Sequence, residues 1–140
     1  MARILVPRQD PKGEAGVVAI FAQKLLCGES LMINGHGRQT RDFVFVADVV
    51  RANLLAMKND KVTGEINIGT AKQTSVNGLA SAMIKVSGIK AAIKHRLALA
   101  GEVMKSVLSW KEVKKQLKWK PEVELNEGLQ GTYEWAKGAL

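Results

Sequence analysis

The chain is poor in cysteine, proline, aromatic residues and negative charge, and each shortage excludes something. Of 140 residues one is cysteine and three are proline, and aromatics make up 5%. A single cysteine, Cys27, cannot form an internal disulfide or a Cys-x-x-Cys metal pair. It lies beside Leu25, Leu26 and Gly28 at the end of an expected helix, which suggests a partly buried structural thiol. No apolar run approaches the roughly 20 residues that a membrane-spanning helix needs, so no membrane partner is expected. The apolar start, Met1 to Val6, is too short for a signal peptide and is interrupted by Pro7-Arg8, which favours a cytoplasmic protein. Asp and Glu number 13 against 21 Lys and Arg, giving a net charge of +8. That balance favours an anionic partner, such as a nucleotide diphosphate or nucleic acid, without requiring one. The sparse aromatics are not interleaved with basic residues as a base-stacking surface would need. The lysines from Lys111 to Lys120 read instead as a solvated helix face opposite Trp110, Val113 and Leu117.

Two further absences bear on chemistry. No G-x-G-x-x-G or G-x-x-G-x-x-G turn is present, and such a turn is what seats a dinucleotide pyrophosphate at a helix N-terminus. The two histidines, His36 and His95, are far apart and belong to no recognisable ligand cluster, so no metal is expected. His36 should be exposed.

What is present is an ordinary globular composition, 46% hydrophobic and 24% charged, on a length that fits one domain over residues 1–140. The pattern predicts an α/β chain of about five helices with short strands. Arg3 to Val6 reads as a strand, followed by a loop punctuated by Pro7, Pro11 and Gly13. Apolar residues at three- and four-residue steps predict a helix from about Ala15 to Cys27. Leu31 to Ile33 and Phe43 to Val46 read as strands that pair in a hairpin-like unit. A helix from Asp48 to Met57 follows, with Asp48 as its cap. Glu65 to Thr70 predicts a strand with a tight exit, Ser75 to Val86 a helix stopped by Gly88, and Ala91 to Arg96 a strand. Ser109-Trp110-Lys111-Glu112 has the form of a capping box. It opens a helix to Leu117, and a last helix spans Asn126 to Lys137.

The stretch from Ile33 to Val50, INGHGRQTRDFVFVADVV, concentrates the functional signal. Gly35 and Gly37 lack a Cβ and let backbone approach a ligand. Arg41 offers a rigid fork of donors suited to phosphate or carboxylate, although spacing alone would also allow an ion-paired surface arginine. The stretch resembles the N-G-x-G-x-Q-T-R-D-F-V-x-V-x-D-V segment of the nucleotide-sugar epimerase and dehydratase family, the extended short-chain dehydrogenase/reductases, and most of all its UDP-glucose 4-epimerase-like members. Pro7-Arg8-Gln9-Asp10-Pro11, Ile66-Asn67-Ile68-Gly69-Thr70, Leu117 to Pro121 and Leu125 to Leu129 resemble further family motifs in the family's order.

The resemblance implies the smaller, substrate-binding C-terminal part of such an enzyme, without its Rossmann half. It implies substrate contacts at Val17, Met32, Asn34, Arg41 and Glu102, with Arg41 on the diphosphate. It also implies no cofactor in this chain, NAD being held by the full-length family. Several positions depart from the pattern. A second diphosphate arginine is replaced by Leu99, the family's N-x-Y-G reads Arg3, Leu5 and Val6, and His36 stands in place of aspartate. The family's catalytic Tyr-x-x-x-Lys is imitated by Tyr133 and Lys137, but these fall in the last helix, where i, i+4 spacing needs only a shared helix face. The expected function is therefore nucleotide-sugar binding without epimerisation by this chain alone. The alternatives are an oligomerising interaction module on the same scaffold and, on charge alone, a nucleic-acid-binding domain. Strand edges left without the larger sheet predict a homo-oligomer.

Overall fold

The structure is a computed structural model that describes residues 2–10, 16–98, 100–101 and 103–139. Among these residues three two-stranded sheets form. β1 (Arg3–Leu5) pairs in parallel with β4 (Phe43–Phe45), Ile4 lying opposite Val44. β2 (Leu31–Asn34) pairs in parallel with β6 (Ile93–Arg96), so that Met32 faces Lys94 and Asn34 faces Arg96. β3 (Thr40–Arg41) pairs antiparallel with β5 (Thr74–Ser75).

The hairpin expected between residues 31–33 and 43–46 does not form. Gly35 and Gly37, at φ +64° and +67°, turn the chain away from β2 instead of back along it. The turn is then sewn to the start of α3 (Val76–Ser87): the Asn77 N–H donates to the Gly37 carbonyl at 3.0 Å and the Val76 N–H to the Gln39 carbonyl at 3.1 Å. A side chain at 37 would put its Cβ 2.2 Å from Asn77 Oδ1, so only glycine permits this approach.

The main core lies between α1 (Val17–Leu26), α3 and α5 (Leu125–Gly138), with Leu5, Leu31, Ile33 and Phe43 supplied by the strands. Val18, Phe21 and Leu25 of α1 recur at helical spacing and face inward. Ser75 caps α3 by accepting from the Gly78 N–H at 3.0 Å, and Gly88 ends it at φ +69°. A second apolar cluster gathers Ala52 of α2 (Val46–Met57), Val113 and Leu117 of α4 (Lys111–Leu117), and Trp119. The lysines of α4 stay exposed, as their opposition to Val113 and Leu117 predicts.

Four local expectations are corrected. α2 begins at Val46, with Phe45 as its cap residue. Asp48 is 2% exposed and does not cap its own helix. Its carboxylate accepts from the backbone N–H groups of Glu122 and Val123 at 3.0–3.2 Å and pairs with Arg51, tying the chain after Trp119 to α2. Residues 65–70 form no strand, although Ile66 and Ile68 alternate inward against the second cluster. A strand needs a neighbouring ladder, and none of the described residues offers one. The box at 109–112 does not close: Ser109 Oγ accepts from the Lys111 N–H at 3.3 Å, while Glu112 accepts from Gln116 one turn on at 2.9 Å. Cys27 is exposed, because two residues beyond the buried Leu25 the helical rotation points away from the core.

Candidate functional site

A cavity of about 740 Å³ lies where β2 and β6 end. Its wall includes Asn34, His36, Arg38, His95, Arg96 and Met104. Three features build it. The parallel register brings Asn34 beside Arg96, and Arg96 Nε donates to Asn34 Oδ1 at 2.5 Å. The buried side chain of Gln39 crosses the turn and donates from Nε2 to the Asn34 carbonyl at 3.0 Å. Thr40 then binds the far segment on both sides, its N–H donating to the Met104 carbonyl at 2.8 Å and its carbonyl accepting from the Ser106 N–H at 3.1 Å.

Asn77 links the floor to α3. Its Nδ2 donates to the His36 carbonyl at 2.8 Å, and its Oδ1 lies 2.9 Å from His95 Nε2. With Oδ1 left as the acceptor, the imidazole carries a proton on Nε2. Among the described residues no carboxylate lines the cavity, which therefore presents two guanidinium groups and two imidazoles. Such a wall suits an anion with several oxygens.

Just outside the cavity, Asp42 is fully buried and acts as a knot. It accepts from the backbone N–H groups of Thr70, Ala71 and Leu108 at 2.9–3.1 Å and from the Thr70 hydroxyl. This fixes the β3–β4 junction, and with it the backbone of Arg41.

The five sequence-derived positions fare differently. Asn34 lines the cavity, and Met32, 38% exposed, shares its face of the β2–β6 ribbon along with Lys94 and Arg96. Arg41 stands half-buried on β3, where Nη1 donates to the Thr40 carbonyl at 2.9 Å; it does not line this cavity. Val17 opens α1 and lines a separate hollow of about 290 Å³ with Arg3, Ile4 and Phe43. Glu102, like Leu99, lies outside the described residues. Arg38, His95 and Arg96 carry no motif in the sequence. Only the register of β6 against β2, which a single chain's periodicity does not reveal, marks Arg96 as a neighbour of Asn34.

Other candidates are set aside by their surroundings. Tyr133 is 4% exposed in the main core, while Lys137 is exposed. Burial pushes the Tyr133 hydroxyl above 10.0, and the adjacent Glu134 charge adds to the rise. A proton-transferring tyrosine needs the opposite shift. Among the described residues no three His, Cys, Asp or Glu side chains cluster to hold a metal ion. None of their helices is long and apolar enough to cross a membrane.

The mixed α/β arrangement thus brings a cationic cavity to the strand ends. Comparison with known proteins makes the class specific. Residues 3–69 match the model of the NAD dependent epimerase/dehydratase family. A UDP-glucose 4-epimerase of Mycolicibacterium smegmatis is 39% identical over 134 residues, 96% of this chain and 43% of that protein. The structure of the Thermotoga maritima UDP-glucose 4-epimerase with UDP-glucose superposes with a TM-score of 0.93 at 45% identity, covering 99% of this chain and 44% of that one. The Thermus thermophilus UDP-glucose 4-epimerase, solved with NAD, gives 0.87 at 32% identity, covering 98% and 45%. The chain belongs to the NAD dependent epimerase/dehydratase family. It spans less than half the length of these relatives.

Neither of two described strand-to-helix junctions, β4 to α2 and β5 to α3, fits the pyrophosphate of NAD. A dinucleotide pyrophosphate needs a glycine-rich turn between strand and helix. Here β4 runs into α2 with no residue between, and β5 runs directly into α3, where Ser75 Oγ already takes the Gly78 N–H.

Proposed function

We propose that this chain is the nucleotide-sugar-binding part of a UDP-sugar 4-epimerase-like protein and does not epimerise by itself. The observation that carries the reading is the basic cavity at the ends of β2 and β6, which among the described residues has no carboxylate in its wall and has Asn34 there. The Thermotoga maritima relative's complex with UDP-glucose supports the ligand class. In this reading Arg41, its backbone fixed by the Asp42 knot, receives the diphosphate, while Met32 and Asn34 offer the ribbon face to the rest of the ligand. Val17 and Glu102 are contacts that only the resemblance implies: Val17 lines the separate hollow, and Glu102 lies outside the described residues. Binding and orientation are the whole of this chain's contribution. The family's hydride acceptor is NAD, whose glycine-rich turn is not found in these 140 residues, and among the described residues no tyrosine lines the cavity.

Calorimetric titration with UDP-glucose tests the reading. Saturable heat that falls at least tenfold in affinity in Arg41→Ala is expected, since a charge-assisted pair contributes about 1.5–3 kcal/mol. Absence of heat at millimolar ligand refutes it.

A second reading, an oligomerising module on the same scaffold, has its own observation. Val50, Leu54 and Met57 form a stripe along α2 that is 49%, 50% and 79% exposed, and Ile4 of β1 is 49% exposed. The two readings are compatible.

A further inference from the structure

Arg96 is the most prepared cation in the cavity that no motif accounts for. It ends β6, directly opposite Asn34 in the parallel register. Its Nε is committed to Asn34 Oδ1, which fixes the plane of the guanidinium. Among the described residues neither Arg96 nor Arg38 pairs with a carboxylate, whereas Arg51 of α2 pairs with both Asp48 and Glu122. A surface arginine ordinarily keeps its charge solvated and mobile. This one is anchored through the nitrogen that a bidentate grip does not need, leaving both terminal NH₂ groups as a fork for two oxygens. Arg38 and His36 stand on the same wall.

We propose that Arg96, oriented by Asn34, is a second phosphate ligand of this chain and grips the diphosphate of the nucleotide from the β6 side. The proposal rests on the nucleotide-sugar reading but adds a residue and a division of labour to it. Asn34 acts as a positioning residue whose carbonyl oxygen sets the guanidinium plane. Arg96 makes the ligand contact on the cavity wall, where Arg38 is the other guanidinium. Position 99, where the resemblance places a second diphosphate arginine, is leucine. The chemistry recognised is an oxyanion pair, so phosphate-bearing ligands are distinguished from the bare nucleoside.

The test is calorimetry on the full chain with four probes: uridine, UMP, UDP and inorganic pyrophosphate. Arg96→Ala, Arg96→Lys and Asn34→Ala are compared with the unaltered chain, and thermal melts confirm that each variant folds; the exposure of Arg96 makes that outcome straightforward. In Arg96→Ala, affinity for UDP and pyrophosphate should fall about ten- to a hundredfold while any affinity for uridine is unchanged. Arg96→Lys should restore only part of it, because a point charge replaces a fork. Asn34→Ala should give an intermediate loss that disappears in the Arg96→Ala background. If UDP binds and Arg96→Ala binds it equally well, the proposal is overturned and the nucleotide-sugar reading stands. If pyrophosphate binds through Arg96 but UDP binds no better than pyrophosphate, the oxyanion grip stands and the nucleotide reading fails. If neither binds, both fall.

Discussion

At the scale of single residues, the buried polar groups hold the molecule's shape, and the exposed ones at the strand ends are those that the proposed reading turns toward a ligand. Asp42 and Asp48 are each nearly free of solvent contact, and each collects backbone N–H groups from a segment far away in sequence. Such carboxylates join loops that no strand ladder secures. From the sequence both looked local, Asp42 as part of a motif and Asp48 as a helix cap, because their partners sit 28 to 75 residues away. Tyr133 gives a residue-level prediction. Burial raises its hydroxyl above the ordinary 10.0, so folding favours the protonated form. The associated stability is fully present below pH 10.0 and is lost as pH rises through the higher folded-state value. Alkaline titration followed by circular dichroism should show unfolding begin above pH 10.0, and Tyr133→Phe should blunt that loss while leaving neutral stability nearly unchanged. An identical alkaline limb in the variant would mean that the hydroxyl is not the sensitive group.

At the scale of elements, helices were legible in the sequence and strand partners were not. α1, α3 and α5 each follow a 3.6-residue apolar pattern, and Ser75 and Gly88 bound α3 as their chemistry requires. The short strands offered two to four residues each, too few to encode a neighbour. Pairing is decided instead by the Gly35–Gly37 turn, which sends the chain to α3 and leaves β2 open for β6. Gly37 is the point at which that choice can be broken. Gly37→Ala should destabilise the fold by about 2 kcal/mol, from the left-handed backbone and the overlap with Asn77. Urea unfolding would measure it. A cost below about 0.5 kcal/mol would show that the turn can be remodelled freely. For the cavity, Asn34 could be found in the sequence because a motif contains it, while Arg41 of the same motif does not line the wall. Arg96 could not be found there, since only the β2–β6 register gives it meaning.

At the scale of the whole molecule, two apolar clusters are held together by Asp48, Arg51 and Trp119, whose indole donates to the Asp48 carbonyl at 2.9 Å. The outer side of α2 and the edge strand β1 leave apolar surface uncovered, and the 65–70 segment leaves its backbone without a ladder. Those surfaces predict self-association. Sedimentation at tens of micromolar, roughly where a modest interface assembles, should show a dimer or larger species, and Leu54→Lys should shift it toward monomer. A clean monomer would leave the nucleotide reading untouched and remove the oligomer. Nucleotide-sugar binding is most directly tested by mapping amide shifts in a ¹⁵N-labelled sample titrated with UDP-glucose. Shifts should gather at Met32–Arg41 and Ile93–Ala98, with α5 silent. A silent spectrum at millimolar ligand, or shifts confined to α1 and α5, would contradict the account.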